Sequence, residues 1–135
     1  MDEREAVDRL ASARVARLAT ADAGGMPHVV PFVFVLLDRT IYWAVDEKPK
    51  RSPRLKRLEN IAANPNVAVV ADHYEEDWSK LWWVRASGIA RVVGEETERT
   101  RALEALAAKY PQDRDAPPDG PVVAVDVVRI GWWTA

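Results

Sequence analysis

The sequence predicts a mainly β fold with flanking helices, in which six antiparallel strands close into a small barrel. Two observations carry this prediction. The apolar pattern gives six strand segments and about three helical ones, and most consecutive strands are joined by hairpin turns or short helices. Six antiparallel strands would leave exposed edges unless the sheet closed on itself. At 135 residues the chain is expected to be one domain, residues 1–135.

The strands are predicted from apolar runs that are bounded by turn residues. Asp22, Gly24 and Gly25 form the first turn, because aspartate initiates turns and glycine accepts a positive φ. The second strand is apolar on both faces, which predicts that the barrel interior covers one face and a helix or partner subunit the other. Gly88 predicts a bend or bulge. The six strands are expected at residues 15–20, 28–37, 40–45, 67–71, 81–93 and 122–130.

Three helices are predicted from apolar residues at helical spacing. Their expected ranges are 2–14, 53–63 and 95–110. Pro65 ends the second helix, because proline cannot continue a helix and restricts the residue before it. Residues 111–121 hold four prolines and three aspartates and are expected to form a surface loop.

The composition excludes several classes of function. The content of 48% hydrophobic and 30% charged residues is that of a soluble globular protein. The absence of cysteine excludes disulfides, thiol catalysis and thiolate metal sites. The N-terminus lacks a signal-peptide pattern and the longest apolar run is too short to cross a bilayer, so we expect a cytoplasmic protein with no membrane partner. A pI near 5.7 disfavours general nucleic-acid binding.

The segment 48–57 concentrates six positive charges and no negative charge, although the whole chain has a net charge of −2. It lies between a predicted strand and a predicted helix, and a helix N-terminus binds anions through its free N–H groups and its dipole. Pro49 and Pro53 stiffen the segment. The alternative is a solvated charge run, which is the commoner meaning of such a pattern. Both interpretations stay open from these residues alone.

The other polar stretches give weaker signals. His28 and His73 are the only histidines, and neither stands in a nucleophile motif, so no catalytic residue is assigned. Residues 72–77 combine carboxylates with His73, but their spacing favours a solvated acidic loop over a metal site. Six tryptophans exceed what one core of this size needs, so some are expected at a subunit interface or in a pocket.

The order of three motifs resembles the pyridoxamine 5'-phosphate oxidase-like split β-barrel family. The motifs are Gly25-Met26-Pro27-His28-Val29-Val30-Pro31, Ile41-Tyr42-Trp43-Ala44-Val45 and, after the basic segment, Leu58-Glu59-Asn60-Ile61-Ala62-Ala63-Asn64-Pro65-Asn66-Val67-Ala68-Val69-Val70. Asp77-Trp78-Ser79 and the strand Ala86-Ser87-Gly88-Ile89-Ala90 fit the small branch thought to use coenzyme F420, a deazaflavin. The similarity spans nearly the whole chain.

The resemblance implies a six-stranded Greek-key split β-barrel and a homodimer with two cofactor sites at the subunit interface. Counting back from Asn60 places Arg57 where the family has a phosphate-binding residue. If the segment is aligned with a gap, the alternatives are Lys56, Arg54, Arg51 and Lys50. The cofactor ring would lie beside His28, Val30, Tyr42 and Trp43, and Trp78 of the partner subunit would cover it.

The predicted function is a cytoplasmic oxidoreductase that binds a phosphorylated flavin-type cofactor, coenzyme F420 first and FMN second. It would transfer a hydride to or from an unidentified small molecule, with the redox chemistry carried by the cofactor. One alternative is an FMN-binding pyridoxamine 5'-phosphate oxidase-like protein. Another is a non-catalytic flavin, deazaflavin or haem-binding module, with His73 as a conceivable haem ligand. A nucleic-acid-binding barrel is disfavoured by the acidic segment 72–77, and no metal is expected.

Overall fold

The structure is a computed structural model that describes residues 1–46 and 56–135. The described residues form seven strands, four α-helices and a short 3-10 helix at Trp78–Lys80. The helices are α1 (Glu3–Ser12), α2 (Lys56–Ala63), α3 (Glu96–Lys109) and α4 (Pro111–Asp115). The strands are β1 (Ala16–Ala21), β2 (Pro27–Phe32), β3 (Val35–Leu37), β4 (Thr40–Ala44), β5 (Asn66–His73), β6 (Trp82–Val92) and β7 (Val122–Thr134).

All seven strands belong to one antiparallel sheet in the order β2-β1-β5-β6-β7-β4-β3. β2 and β3 are therefore the two edge strands, yet only Val33 and Phe34 separate them along the chain. The three residue steps from Phe32 to Val35 span at most about 11 Å. The sheet must curl until its two edges lie close together, and it forms a half-barrel. The expectation of a mainly β, antiparallel fold with helices is confirmed, and the half-barrel roughly matches the predicted split β-barrel.

The predicted count of six strands is wrong by one, because the predicted strand 28–37 is two strands that pair at opposite edges. The residues of this segment are apolar on both faces, so no polar residue marks the position where pairing with β1 ends and pairing with β4 begins. Pro31 suits β2, since an edge strand tolerates a residue that has no N–H to donate. The predicted loop 111–121 also begins with a short helix, α4, whose first residue is Pro111.

The end of α3 holds the crossover between β2 and β3 in place. The Tyr110 hydroxyl accepts a hydrogen bond from the Phe34 N–H (3.3 Å) and lies 2.9 Å from the Arg14 carbonyl oxygen. Lys109 Nζ donates to the carbonyl oxygens of Ala11 (3.1 Å) and Phe34 (3.0 Å). Burial lowers the pKa of Lys109 to about 8. These contacts connect α3 to both sheet edges.

The larger of two apolar clusters lies inside the curled sheet, and the smaller lies between the outer face of the sheet and α3. The inner cluster includes the fully buried side chains of Leu10, Leu18, Phe34, Ile41, Trp43, Val69 and Val84. The outer cluster includes Tyr42, Ala102, Leu106, Val122 and Ala124. α3 packs against β3, β4 and β7. The outer face of β2 stays open in the single chain, where the side chain of Val29 is 62% exposed.

One turn and one bulge follow the local sequence as predicted. Asp22 Oδ1 accepts hydrogen bonds from the N–H groups of Gly24 and Met26 (both 2.9 Å), and Gly25 has a φ of 89°. The register of β6 against β7 shifts between Ser87 and Gly88. A Cβ added at Gly88 would overlap the carbonyl oxygen of Asp126, so this bulge requires glycine.

Among the described residues, no helix is long and apolar enough to cross a membrane.

Candidate functional site

The described part of the basic segment is the start of α2. Lys50, Arg51 and Arg54 lie outside the described residues, whereas Lys56 and Arg57 open the helix. α2 packs against β1 and β6 and places Ile61 in the inner apolar cluster. Lys56 lies near the turn between β1 and β2, which contains Asp22. The pKa of Asp22 is lowered mainly by the hydrogen bond from the Met26 N–H, and the positive charge of Lys56 lowers it further.

A buried hydrogen bond attaches α2 to this end of the sheet. Asn60 is 1% exposed, and its Nδ2 donates to Thr20 Oγ1 at 3.0 Å. Thr20 lies directly opposite His28 in the antiparallel pair of β1 and β2. Residues directly opposite each other in such a pair point to the same face of the sheet. Asn60 and His28 therefore both adjoin Thr20, one from the helix and one from the neighbouring strand.

Three polar atoms in this region are buried and have no hydrogen-bond partner among the residues that the structure describes. They are His28 Nδ1, Arg57 Nε and Asn60 Oδ1. We call these three residues the α2 polar cluster. Burial lowers the pKa of Arg57, but an arginine stays charged in proteins. A buried polar atom without a partner costs free energy, so within residues 1–46 and 56–135 the α2 polar cluster has no group that completes it.

The chemistry of the α2 polar cluster fits an anionic group. Arginine and a protonated imidazole nitrogen donate hydrogen bonds to phosphate oxygens, and arginine can do so through two parallel bonds. The amide oxygen of Asn60 can accept a hydrogen bond from a hydroxyl group. The basic segment adjoins this cluster along the chain and adds further positive charge. The predicted site residues Arg57 and His28 are thus brought to the same part of the fold.

The other predicted ring-side residues lie on two different faces of the sheet. Val30 and Trp43 both pack in or against the inner apolar cluster, and Trp43 is only 1% exposed. Tyr42 points to the opposite face of β4, under α3, where its hydroxyl donates to Glu98 Oε2 at 2.7 Å. The structure therefore does not bring Tyr42 to His28. The contact of these side chains with a cofactor ring stays a prediction.

Trp78 lies at the far end of the sheet from the α2 polar cluster. It is 66% exposed, and its Nε1 donates to the Tyr74 hydroxyl at 3.4 Å. Leu18 pairs with Val69, so Thr20 and His28 are level with Val67 on β5. The end of β5 at His73 is six residues further along, about 20 Å at the rise of a β-strand. A single chain cannot place Trp78 and His28 against one small ligand.

The acidic segment 72–77 is largely engaged in local contacts. His73 Nε2 pairs with the Glu75 carboxylate, and Asp77 accepts hydrogen bonds from the N–H and hydroxyl of Ser79. The Ser79 hydrogen bonds lower the pKa of Asp77. Within residues 1–46 and 56–135, no three His, Asp or Glu side chains converge to hold a metal ion.

Two features of the site were missed in the sequence. The first is the hydrogen bond between Thr20 and Asn60, which are forty positions apart in the sequence. The only sequence signal for this bond was a polar residue, Asn60, next to the apolar Ile61 on the buried face of α2. The second is a groove with a volume of about 440 Å³ at the far end of β5, β6 and β7. It is lined by Val70, Asp72, His73, Tyr74, Leu81, Trp82, Trp83, Arg85 and Trp133. The excess of tryptophans predicted a pocket or a subunit interface but not its place in the fold.

Comparison with solved structures identifies the same fold in other bacterial proteins. The conserved hypothetical protein Rv2991 of Mycobacterium tuberculosis has a TM-score of 0.75 and 20% identity, over 99% of this chain and 85% of its own. An FAD-binding protein (mll6688) of Mesorhizobium loti has a TM-score of 0.74 and 21% identity, over 98% and 94%. HutZ, the haem storage protein of Vibrio cholerae, has a TM-score of 0.73 and 16% identity, over 98% and 93%.

No curated protein sequence matches this chain. The model of the pyridoxamine 5'-phosphate oxidase family, however, matches residues 2–134. That match agrees with the curled antiparallel sheet and with the motifs around Gly25 and Asn60. The chain belongs to the pyridoxamine 5'-phosphate oxidase family.

Proposed function

We propose that this protein is an oxidoreductase that binds a phosphorylated flavin-type cofactor, coenzyme F420 in preference to FMN, and acts on a small molecule. The observation that carries the proposal is the α2 polar cluster. Three buried polar atoms without partners among the described residues, beside a basic segment, suit a ligand with an anionic group.

The residues of the cluster have distinct roles in this proposal. Arg57 pairs with the cofactor phosphate, and Lys56 and the rest of segment 48–57 add positive charge around it. Asn60 holds α2 against Thr20, which keeps Arg57 at a constant distance from β1. His28 donates a hydrogen bond from its ring. When bound, a reduced deazaflavin supplies a hydride to an unsaturated small molecule, and no protein nucleophile is needed.

The charge of the basic segment favours F420 over FMN. The six positive residues of segment 48–57 exceed what one phosphate requires. F420, as the family resemblance implies, also carries a polyglutamate tail, which a longer basic segment can accommodate.

A homodimer completes the proposed site. The outer face of β2 is open at Val29, which is 62% exposed, and the apolar residues that flank the strand, Met26 and Val33, are 66% and 47% exposed. A second copy seated on β2 would cover these side chains. Since the end of β5 near Trp78 is about 20 Å along the strand from the level of His28 in one chain, we propose that Trp78 covers the cofactor ring from the partner subunit.

A second candidate function is storage or carriage of a flavin or haem without catalysis. The likeness to the haem storage protein HutZ supports it. His73 lies at the groove of the far sheet end, with its side chain 43% exposed, and would be the residue that holds haem. Its Nε2 is engaged by Glu75, which must release it for haem to bind.

Absorbance titrations of the purified protein with F420, FMN, FAD and haem distinguish these functions. We expect F420 to bind at micromolar concentration. Arg57→Gln should weaken F420 binding roughly ten-fold or more, because losing a charged hydrogen bond costs about 1.5–3 kcal/mol. Arg4→Gln, an exposed change on α1, is the matched control and should leave the affinity unchanged. If neither F420 nor FMN binds at micromolar concentration, the oxidoreductase proposal is wrong, and binding of haem alone would favour the storage function.

A further inference from the structure

Lys109, the last residue of α3, has an amino group that is held between other parts of the fold. Of the lysines that the structure describes, it is half-buried and the others are exposed. Its Nζ donates to the carbonyl oxygens of Ala11 (3.1 Å) and Phe34 (3.0 Å). Nζ also lies 4.1 Å from the centroid of the Phe34 ring and 5.3 Å from that of the Tyr110 ring. We call these four residues the lysine junction.

Arg14 places a second positive charge at the lysine junction. Its guanidinium lies over the Tyr110 ring, 4.8 Å from the centroid, and donates to the carbonyl oxygen of Lys109 at 2.8 Å. The other titratable groups nearby are the Tyr110 hydroxyl and Asp113 of α4, whose charge acts on Tyr110. Within residues 1–46 and 56–135, no carboxylate pairs with Lys109. A lysine in apolar surroundings beside another cation becomes a nucleophile, because both features favour its neutral form.

The hydrogen bonds of Lys109 suit a neutral amine. Burial mainly, and the charge of Arg14 in addition, lower the pKa of Lys109 to about 8. About a quarter of the Lys109 side chains are then neutral at pH 7.5, against about one in a thousand for an ordinary lysine. A neutral amine has two N–H bonds, and Nζ meets the carbonyl oxygens of Ala11 and Phe34. The lone pair of the nitrogen therefore stays available for a reaction.

We propose that Lys109 is a modification site that accepts an acyl group from an acyl phosphate, with Arg14 binding the phosphate. The Nζ lone pair attacks the acyl carbon, a C–N bond forms, and the C–O bond to the phosphate breaks. The phosphate leaves with that electron pair, and the proton lost by Nζ passes through water to the phosphate. Arg14 is exposed, and its planar guanidinium can hold two phosphate oxygens. This modification does not involve the proposed cofactor.

Acylation would loosen the lysine junction. An amide nitrogen has a single N–H, so either Ala11 or Phe34 loses its hydrogen-bond donor, and the positive charge beside the two rings disappears. Ala11 belongs to the end of α1, and Phe34 to the crossover between β2 and β3. A modified Lys109 would therefore attach α3 less firmly to these two parts of the fold.

Competitive acetylation of the full chain, with mass spectrometry of each lysine, tests the proposal. With a trace of acetic anhydride at pH 7.5, we expect Lys109 to react roughly ten-fold faster than the exposed Lys80. The larger neutral fraction of Lys109 outweighs the weaker nucleophilicity of a less basic amine. The rate at Lys109 should level off above about pH 8, whereas that of an ordinary lysine rises until about pH 10.

Acetyl phosphate as the acyl donor tests the role of Arg14. Arg14→Gln should slow the acetylation of Lys109 by acetyl phosphate roughly ten-fold more than its acetylation by the anhydride, because only the phosphate needs the guanidinium. Arg4→Gln, an exposed change on α1, is the matched control and should alter neither rate. Thermal unfolding of each variant shows that it is folded.

Three results would overturn the proposal. One is acetylation of Lys109 by the anhydride that is no faster than that of Lys80, or that begins only when urea is added. Another is an equal effect of Arg14→Gln on the two reagents, which would show that Arg14 does not bind the phosphate. The third concerns the junction: protein acetylated at Lys109 should unfold at a temperature lower by about 3 °C or more, and an unchanged temperature contradicts the loosening.

Discussion

Two polar clusters of this protein differ in whether their members are paired. Under α3, Arg91 donates to Glu98 (2.8 Å) and Asp126 (2.7 Å), and Tyr42 donates to Glu98 (2.7 Å). We call this set the α3 polar network. The α2 polar cluster, in contrast, keeps three buried atoms unpaired among the described residues. Paired groups stabilise a fold and unpaired ones destabilise it, so the α2 polar cluster has the character of a binding site.

The largest expected change in stability is that of a substitution at Arg91, in the α3 polar network. Arg91→Met removes the cation that neutralises Glu98 and Asp126, and it leaves both carboxylates without their main partner. We expect the free energy of unfolding to fall by about 2 kcal/mol, a value reduced for the partial exposure of these groups. Urea unfolding, with an unchanged m-value, measures this loss.

Arg101→Met is the matched control for Arg91→Met. Arg101 pairs with Asp38 at 3.5 Å, but both side chains are highly exposed. Its removal should cost no more than about 0.5 kcal/mol. Equal losses in the two variants would show that the α3 polar network contributes no more than a surface ion pair.

The second expected effect is a loss of stability in acid. Hydrogen bonds from Arg91, and then from Tyr42, lower the pKa of Glu98 to about 2 from an ordinary value of 4.5. Because its folded pKa is the lower one, the unfolded chain takes up the proton first. The Glu98 contribution, about 1–2 kcal/mol after allowance for solvent screening, is complete above pH 4.5 and is lost as the pH falls towards 2.

Urea unfolding of the wild type and of Glu98→Gln between these pH values measures that contribution. Glutamine cannot titrate, so the difference in stability between the two proteins should shrink as the pH falls. A difference that stays constant with pH would contradict the assignment of this pKa shift to Glu98.

The smallest expected change in stability is that of a substitution at Arg57. In contrast to Arg91→Met, it should not lower the free energy of unfolding. Arg57→Met replaces a half-buried side chain, whose Nε has no hydrogen-bond partner among the described residues, by an apolar side chain of similar length. Without cofactor, we expect the free energy of unfolding to stay constant or to rise by up to about 1 kcal/mol. Urea unfolding of the cofactor-free protein measures this change. A loss as large as that of Arg91→Met would mean that Arg57 has a structural role, and the contrast between the two clusters would fail.

Local features of the fold were predictable because each depends on a few neighbouring residues. Asp22 and Gly25 make the first turn and Gly88 makes the bulge, as their backbone preferences indicate. The helices α1 and α3 follow from their apolar spacing. The alternation of side chains along β6 sends Trp82 and Trp83 to opposite faces of the sheet. Such periodicities operate over one or two turns of the backbone.

Contacts between distant segments were not predictable in the same way. Tyr42 and Trp43 were expected beside one ring, but β4 sends Tyr42 to α3 and Trp43 into the inner cluster. The predicted strand 28–37 is two strands, because the sheet curls and the two halves of this apolar segment pair at its opposite edges. A one-dimensional pattern records which residues are apolar, and it does not record which partner each one meets.

The sequence by itself determined a mainly β chain of the pyridoxamine 5'-phosphate oxidase type, with a concentrated positive charge before the second helix. Only the tertiary structure decided which residues meet. It brought Thr20, His28 and Asn60 together from three elements and placed Lys109 between two carbonyl oxygens. The physical reason is that composition and periodicity act locally, whereas a site is formed by strand register, sheet curl and helix packing acting together.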